Sequence, residues 1–77
     1  MTPEQCWAAR ELLGWTDVQL AERAGIRPAT VRYVEMGNGR PTSRTLTAIR
    51  TTLEAARVIF GDPNVDGPGV RLRKSAP

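Results

Sequence analysis

The sequence predicts a mainly α-helical domain of four short helices followed by two short β-strands. Thr2 and Thr16 are each followed three residues later by Gln, which is the capping-box pattern of a helix start. Apolar residues then recur at spacings of three and four through residues 1–56, as in helices that bury one side. Beyond Arg57 they occur in short runs bounded by Gly and Pro, as in strands. A chain of 77 residues has room for one small domain, which buries about 60% of its unfolded surface.

Glycine and proline residues predict where the helices end and begin again. Gly14 and Gly25 supply the left-handed backbone that ends a helix. Only Ile26 and Arg27 separate Gly25 from Pro28, whose fixed φ suits the first position of a new helix. The chain must therefore turn tightly between the second and third helices. The four predicted helices comprise residues 3–13, 17–24, 28–36 and 43–56.

The third predicted helix has two different sides. Val31 and Val34 lie on the side suited to packing, whereas the other side has Arg, Tyr and small residues. A short helix of this kind, supported by a preceding helix across a glycine turn, is what a helix-turn-helix needs to enter a major groove of DNA. The outer side comprises Pro28, Ala29, Arg32, Tyr33 and Met36.

Positive charge is concentrated around this third helix. The whole chain has a net charge of +3, whereas residues 27–50 alone contain five arginines against the single Glu35, a net charge of +4. A basic face is what a polyanionic partner requires. The alternative is a merely solvated basic surface, but the coincidence with a helix-turn-helix pattern favours a nucleic-acid partner.

The composition argues against catalysis and metal binding. One cysteine, Cys6, cannot form an internal disulfide, and without histidine it cannot complete a zinc site. Ser43 and Ser75 lack an activating base. We therefore expect that the protein is not an enzyme, that it binds neither a metal nor a cofactor, and that Cys6 is a small core residue.

No apolar run is long enough to cross a bilayer, and no secretion signal is present at the N-terminus, so we expect a soluble cytoplasmic protein associated with the nucleoid.

Several motifs in residues 2–53 resemble the phage-repressor and Cro-like (XRE) helix-turn-helix family. They are AAR in the first helix, LGW before the second, LAERAGI across the turn, TVRYVE in the third helix and NGRP after it. The family usually has Gln where this chain has Asp17, and Ser or Asp where it has Arg27. The resemblance implies a four-helix, lambda-repressor-like domain that binds double-stranded DNA and regulates transcription. Its recognition helix would be residues 28–36.

The resemblance and the side-chain chemistry together indicate which residues contact DNA. Arg32 and Tyr33 are the best candidates for reading base edges, and Ala29 offers a methyl contact to thymine. The residues expected to contact bases are Arg27, Pro28, Ala29, Thr30, Arg32 and Tyr33. Those expected to contact phosphate are Thr16, Asp17, Gln19, Asn38, Arg40 and Arg44.

Arg10 lies on the same side of the first predicted helix as Cys6, Ala9 and Leu13, which is unusual for an arginine and requires a nearby anion. Glu35 is the only acidic residue of the third helix. The resemblance implies that Arg10 and Glu35 form a buried ion pair across the domain. Its expected role is to orient the helices, because a buried pair is weak evidence of net stability.

The C-terminal region departs from the family, which usually has a fifth helix there. The segments RVIF and GVRLR predict two strands joined by GDPNVDGP. Two strands alone are marginal in water, so they form either a hairpin packed on the helices or a strand pair exchanged between two chains. We expect residues 1–56 to be the DNA-binding domain, 57–74 a dimerisation appendage and 75–77 a disordered tail. The residues assigned to the homodimer interface are Val58, Ile59, Phe60, Val70 and Leu72.

The sequence thus predicts a transcriptional regulator that binds an inverted-repeat operator as a dimer. The alternative is a protein-interaction module with the same fold, such as an antitoxin or antiactivator. In that case Trp7 and the C-terminal strands would cover a protein partner. The cluster of arginines around the third helix favours DNA, although an antitoxin can have both functions.

Overall fold

The computed structural model describes residues 1–37, 39–61 and 69–73. Asn38, the segment 62–68 between the two strands, and residues 74–77 lie outside the described residues, and with them the predicted tail. The predicted four helices and two strands are confirmed, with α4 ending one residue earlier than expected. The elements are α1 (Pro3–Leu13), α2 (Asp17–Ala24), α3 (Pro28–Met36), α4 (Ser43–Ala55), β1 (Val58–Phe60) and β2 (Val70–Leu72).

Both predicted capping boxes are present. The Gln5 N–H donates to the Thr2 hydroxyl oxygen at 3.1 Å, and the Thr2 N–H donates to the Gln5 amide oxygen at 2.9 Å. The same two bonds join Thr16 and Gln19, at 3.1 and 2.8 Å. Gly25 ends α2 with a φ of 72°. These local bonds satisfy backbone groups that the helix ends would otherwise leave unpaired, and they set the start of α1 and α2.

One hydrophobic core lies between the four helices and β1. Helix α2 contacts α3 and α4, and α1 contacts α3 and α4. Cys6 is completely buried in this core, as expected for a small apolar side chain. Among the described residues, the largest fully buried side chains are Leu20, Ile49, Leu53, Val31 and Cys6.

The two strands pair antiparallel within one chain, so the hairpin alternative is the one found. Val58 lies opposite Leu72, and Phe60 lies opposite Val70. Strand β1 contacts α4, and β2 contacts α1. Val58 is only 3% exposed and its side chain belongs to the core of its own chain, so its assignment to a dimer interface stays a prediction that involves its backbone. Phe60 and Val70 also pack against the core, because the pair is too short to be stable without the helices.

Candidate nucleic-acid interface

Helix α3 presents one buried and one exposed side. Val31 and Val34 are buried in the core, whereas Arg32, Tyr33 and Met36 are exposed. Pro28 occupies the first turn, and Arg27 is the N-cap residue without a side-chain capping bond. The exposed side is the one predicted for DNA contact. It also includes Ala29, which is exposed, and its margin includes Pro28 and Thr30, which are half-buried.

An ion pair joins the start of α2 to the exposed side of α3. Arg32 Nη1 donates to Asp17 Oδ2 at 2.6 Å. The other oxygen of the Asp17 carboxylate accepts from the Val18 N–H at 2.8 Å. The hydrogen bond from Arg32 lowers the pKa of Asp17, so this carboxylate is ionised at neutral pH and accepts hydrogen bonds only. The structure therefore brings an expected base reader and an expected phosphate-contacting residue into direct contact.

A second contact joins α3 to the loop that follows it. The Arg40 N–H donates to the Tyr33 hydroxyl oxygen at 3.0 Å. A Cβ atom on Gly39 would overlap the Tyr33 phenol, so the ring can pack here only because position 39 has no side chain. Tyr33 thus positions the Arg40 backbone next to α3. Sequence reasoning missed this contact, and the second glycine of GNGRP was the available indication.

Arg10 and Glu35 form the ion pair that the resemblance implied, and two hydrogen bonds join them. Arg10 Nε and Nη2 donate to Glu35 Oε2 and Oε1, both at 3.0 Å, and Arg10 Nη1 donates to the Trp15 carbonyl oxygen at 3.0 Å. The side chains are 14% and 11% exposed. The hydrogen bond to Glu35 raises the pKa of Arg10. This arrangement joins α1, α3 and the segment before α2, and therefore fixes the position of α3.

The Cys6 thiol lies beside the same carboxylate, and its Sγ donates to Glu35 Oε2 at 3.5 Å. Burial, with a smaller contribution from the negative charge of Glu35, raises the pKa of Cys6 from 9.0 to about 12. A thiol that stays protonated at neutral pH is a poor nucleophile. Its position is consistent with a packing role.

The remaining expected contacts lie around α3. Thr16 and Gln19 cap α2, but the Thr16 hydroxyl proton and the Gln19 amide protons remain available as donors. Arg40 and Arg44 are exposed. Arg50, which the charge pattern grouped with them, instead donates to Glu54 at 3.4 Å and lies over the Phe60 ring at 5.2 Å. Asn38 lies outside the described residues.

A short helix with a polar, arginine-containing outer side, held by a second helix across a glycine turn, defines a helix-turn-helix protein of the DNA-binding class. A family model described as helix-turn-helix matches residues 8–55, more than half of the chain. The chain belongs to this family of Cro- and repressor-like (XRE) DNA-binding regulators. No curated protein matches the chain significantly. In the part of the chain that the structure describes, none of the helices is long and apolar enough to span a membrane.

Proposed function

We propose that this chain is a sequence-specific transcriptional regulator that binds duplex DNA and catalyses no reaction. It acts in the cytoplasm, in association with the nucleoid. The observation that supports it best is the exposed side of α3, where Arg32 and Tyr33 face outward while Val31 and Val34 are buried. A helix anchored by one side and polar on the other has the shape and the donors needed to read a major groove.

The proposed base contacts follow from side-chain chemistry. Arg32 donates to the O6 and N7 atoms of guanine, and Arg27 reaches a guanine or a phosphate. Tyr33 and Thr30 contact base edges through their hydroxyl groups. Ala29 and Pro28 provide apolar contacts, with the Ala29 methyl group against a thymine methyl.

The proposed phosphate contacts surround these base contacts. Arg40 and Arg44 neutralise phosphate charge from the loop and the start of α4. Thr16 and Gln19 donate from the start of α2, and Asn38 donates from the loop. Asp17 takes part through its backbone N–H, because an ionised carboxylate has no proton to donate to a phosphate.

A two-fold dimer on an inverted repeat is the proposed working unit. One short helix reads only a few base pairs, and helix-turn-helix dimers place two such helices about 34 Å apart in successive grooves. The C-terminal strands offer an edge for association. The Arg73 N–H donates to the Arg57 carbonyl oxygen at 2.7 Å, so these two residues form a hydrogen-bonded pair. In an antiparallel pair of strands, hydrogen-bonded and non-hydrogen-bonded residue pairs alternate. The backbone N–H and C=O groups of Val58, Phe60, Val70 and Leu72 therefore point away from the paired strand. The interface thus uses the backbone edges of these residues together with the Ile59 and Leu72 side chains.

A protein-interaction module, such as an antitoxin or antiactivator, is the second candidate function. It is supported by Trp7, which is 52% exposed on α1 although tryptophan is costly to leave in water. Exposed tryptophans are frequent at the centres of protein interfaces. This function is compatible with DNA binding, because Trp7 and the outer side of α3 belong to different helices.

Selection of duplexes from a random pool tests the main proposal. We expect an enriched inverted repeat, with affinity that falls with salt at a log-log slope of about −0.9 per phosphate contacted. Arg40→Ala should weaken binding to all sequences about equally, whereas Arg32→Ala should cost about 1–3 kcal/mol at one base pair and relax the preference there. Binding that does not depend on salt, or uniform losses in both variants, would contradict the proposed assignments.

Analytical ultracentrifugation tests the dimer. Leu72 and Leu12 are 42% and 45% exposed, so Leu72→Arg and Leu12→Arg introduce the same charge at similarly exposed positions on β2 and α1. We expect Leu72→Arg to dissociate the dimer and Leu12→Arg to leave it intact. The reverse result would place the interface on the helices. A wild-type chain that is monomeric on its selected operator would refute the dimer.

A further inference from the structure

We propose that Asp17 is a positioning residue that holds the Arg32 guanidinium ready for guanine and thereby increases base discrimination. The inference rests on the proposed DNA-binding function. It goes further by assigning specificity to a side chain that has no proton to donate to DNA. It also assigns a purpose to an acidic residue located on an otherwise basic surface.

The geometry of the pair supports this role. Asp17 is the first residue of α2, whereas Arg32 lies in the middle of α3, and the two are joined at 2.6 Å across the helix-turn-helix. The carboxylate is itself held by the Val18 N–H at 2.8 Å. Arg32 is therefore anchored to the backbone of the neighbouring helix through one fixed residue, instead of extending freely from α3.

The chemistry of the guanidinium leaves room for a base. Asp17 accepts from Nη1 only. A guanidinium has five N–H donors in a planar fork, so donors on Nε and Nη2 remain to meet the O6 and N7 acceptors of guanine. An arginine loses substantial rotamer entropy when it is immobilised on binding. A contact that already restricts the side chain in the free protein reduces this loss.

The charge of Asp17 has a second consequence for discrimination. Non-specific affinity comes from neutralising phosphates, and a carboxylate at the start of α2 opposes that attraction, since this end of the helix would otherwise favour an anion. Asp17 therefore weakens binding to every sequence. The loss is offset only where the positioned Arg32 meets a guanine, so the ratio of specific to non-specific affinity increases.

Binding measurements on a double-mutant cycle test the proposal. The wild type, Asp17→Ala, Arg32→Ala and the double variant are titrated with the selected operator, with operators altered at the guanine that Arg32→Ala identifies, and with unrelated duplex. We expect Asp17→Ala to bind unrelated duplex more tightly and to lower the preference for that guanine by about tenfold, a coupling within the range for contacting residues. In the Arg32→Ala background, Asp17→Ala should not change this preference.

Two further variants control for charge and for folding. Glu22→Ala removes an exposed negative charge from the same helix without altering the contact to Arg32, so it should change all affinities by one common factor. Asp17→Asn keeps an oxygen acceptor for Arg32 and should retain part of the preference. Thermal melts of each variant establish that the fold is intact before its affinities are compared.

Each outcome has a definite meaning. If Asp17→Ala behaves like Glu22→Ala, Asp17 acts only through its charge and the positioning role is overturned, while the DNA-binding function stands. The role is equally overturned if Asp17→Ala lowers the preference when Arg32 is absent, or if Arg32→Ala leaves every base preference unchanged. If the wild type does not distinguish any duplex from another, the proposed function fails and the inference fails with it.

Discussion

The four helices and the two strands are stabilised in different ways. Helices α1 and α2 begin at threonines whose capping bonds span only three residues. The strands have three residues each, and their register joins Val58 to Leu72, fourteen positions away in the chain. The strands are held in place by α4 and α1, which they contact. Local bonds thus determine where α1 and α2 begin, whereas distant contacts determine where the strands lie.

This difference predicts how free energy is distributed in the molecule. Capping bonds act within one turn and contribute modest amounts. Core side chains and the Arg10–Glu35 pair join distant elements, so their removal affects several elements together. We therefore expect the largest losses where distant segments meet and the smallest where a bond serves only its own helix. The following predictions test this order, beginning with the largest effect.

Leu53→Ala should cost about 2–5 kcal/mol of unfolding free energy, because it opens a cavity in the core between α4 and its neighbours. Leu53 is completely buried. The matched control is Leu12→Ala, which removes the same atoms from an exposed position of α1 outside the proposed interface and should change stability by about 0.5 kcal/mol or less. Urea unfolding measures both. Equal losses would mean that an exposed helical position contributes as much as the buried core.

Glu35→Ala should cost about 3 kcal/mol, at the low end for a broken buried pair, because both side chains retain a little exposure. It leaves Arg10 with only the exposed Glu11 carboxylate, 4.0 Å from its Nη1 atom, and an arginine cannot lose its proton. Arg10→Met should cost less, since the remaining carboxylate can protonate and the methionine fills much of the arginine volume. Thermal melts compare the two. A less stable Arg10→Met variant would argue against the pair as the link between α1 and α3.

Alkaline pH should destabilise the protein through Cys6. Its pKa is about 12 in the folded chain and near 9.0 as a free thiol, so the unfolded state loses its proton first. The stabilising contribution of the neutral thiol is complete below pH 9 and is lost as the pH rises toward 12. At pH 10 the free energy of unfolding should have fallen by about 1.4 kcal/mol. Urea unfolding between pH 8 and 10.5 measures it. Cys6→Ala should unfold with a flatter pH dependence, and an unchanged slope would contradict the assignment.

Thr16→Ala should cost about 1 kcal/mol, the usual value for a lost N-cap. The variant removes the oxygen that accepts from the Gln19 N–H at 3.1 Å. Thr16→Ser keeps that oxygen and should retain most of the stability in the same unfolding measurement. A loss as large as that of Leu53→Ala would show that the capping bond stabilises more than its own helix.

The sequence predicted much of this fold and less of the candidate site. The helix ends were predictable because Thr2, Thr16 and Gly25 act on backbone groups within one turn. The exposed side of α3 was predictable because apolar residues at helical spacing share one side. The contacts of Asp17 with Arg32 and of Tyr33 with Arg40 depend on how two segments approach each other. No local pattern indicates the first contact, and Gly39 indicates only that there is room for a ring near the second.

The sequence by itself determined the four helices, the position of the turn and the basic region around α3, because spacing, capping and charge are properties of the chain before it folds. Only the tertiary structure decided that the strands pair within one chain and that Val58 enters the core. It also decided that Arg57 adopts a left-handed conformation with a φ of 74° where a helix end usually has glycine. The Arg57 N–H donates to the Glu54 carbonyl and its own carbonyl accepts from the Arg73 N–H, so bonds to α4 and to the chain beyond β2 hold this backbone in place. One of those partners is sixteen residues away, and its effect arises only when α4 and the strands are brought together.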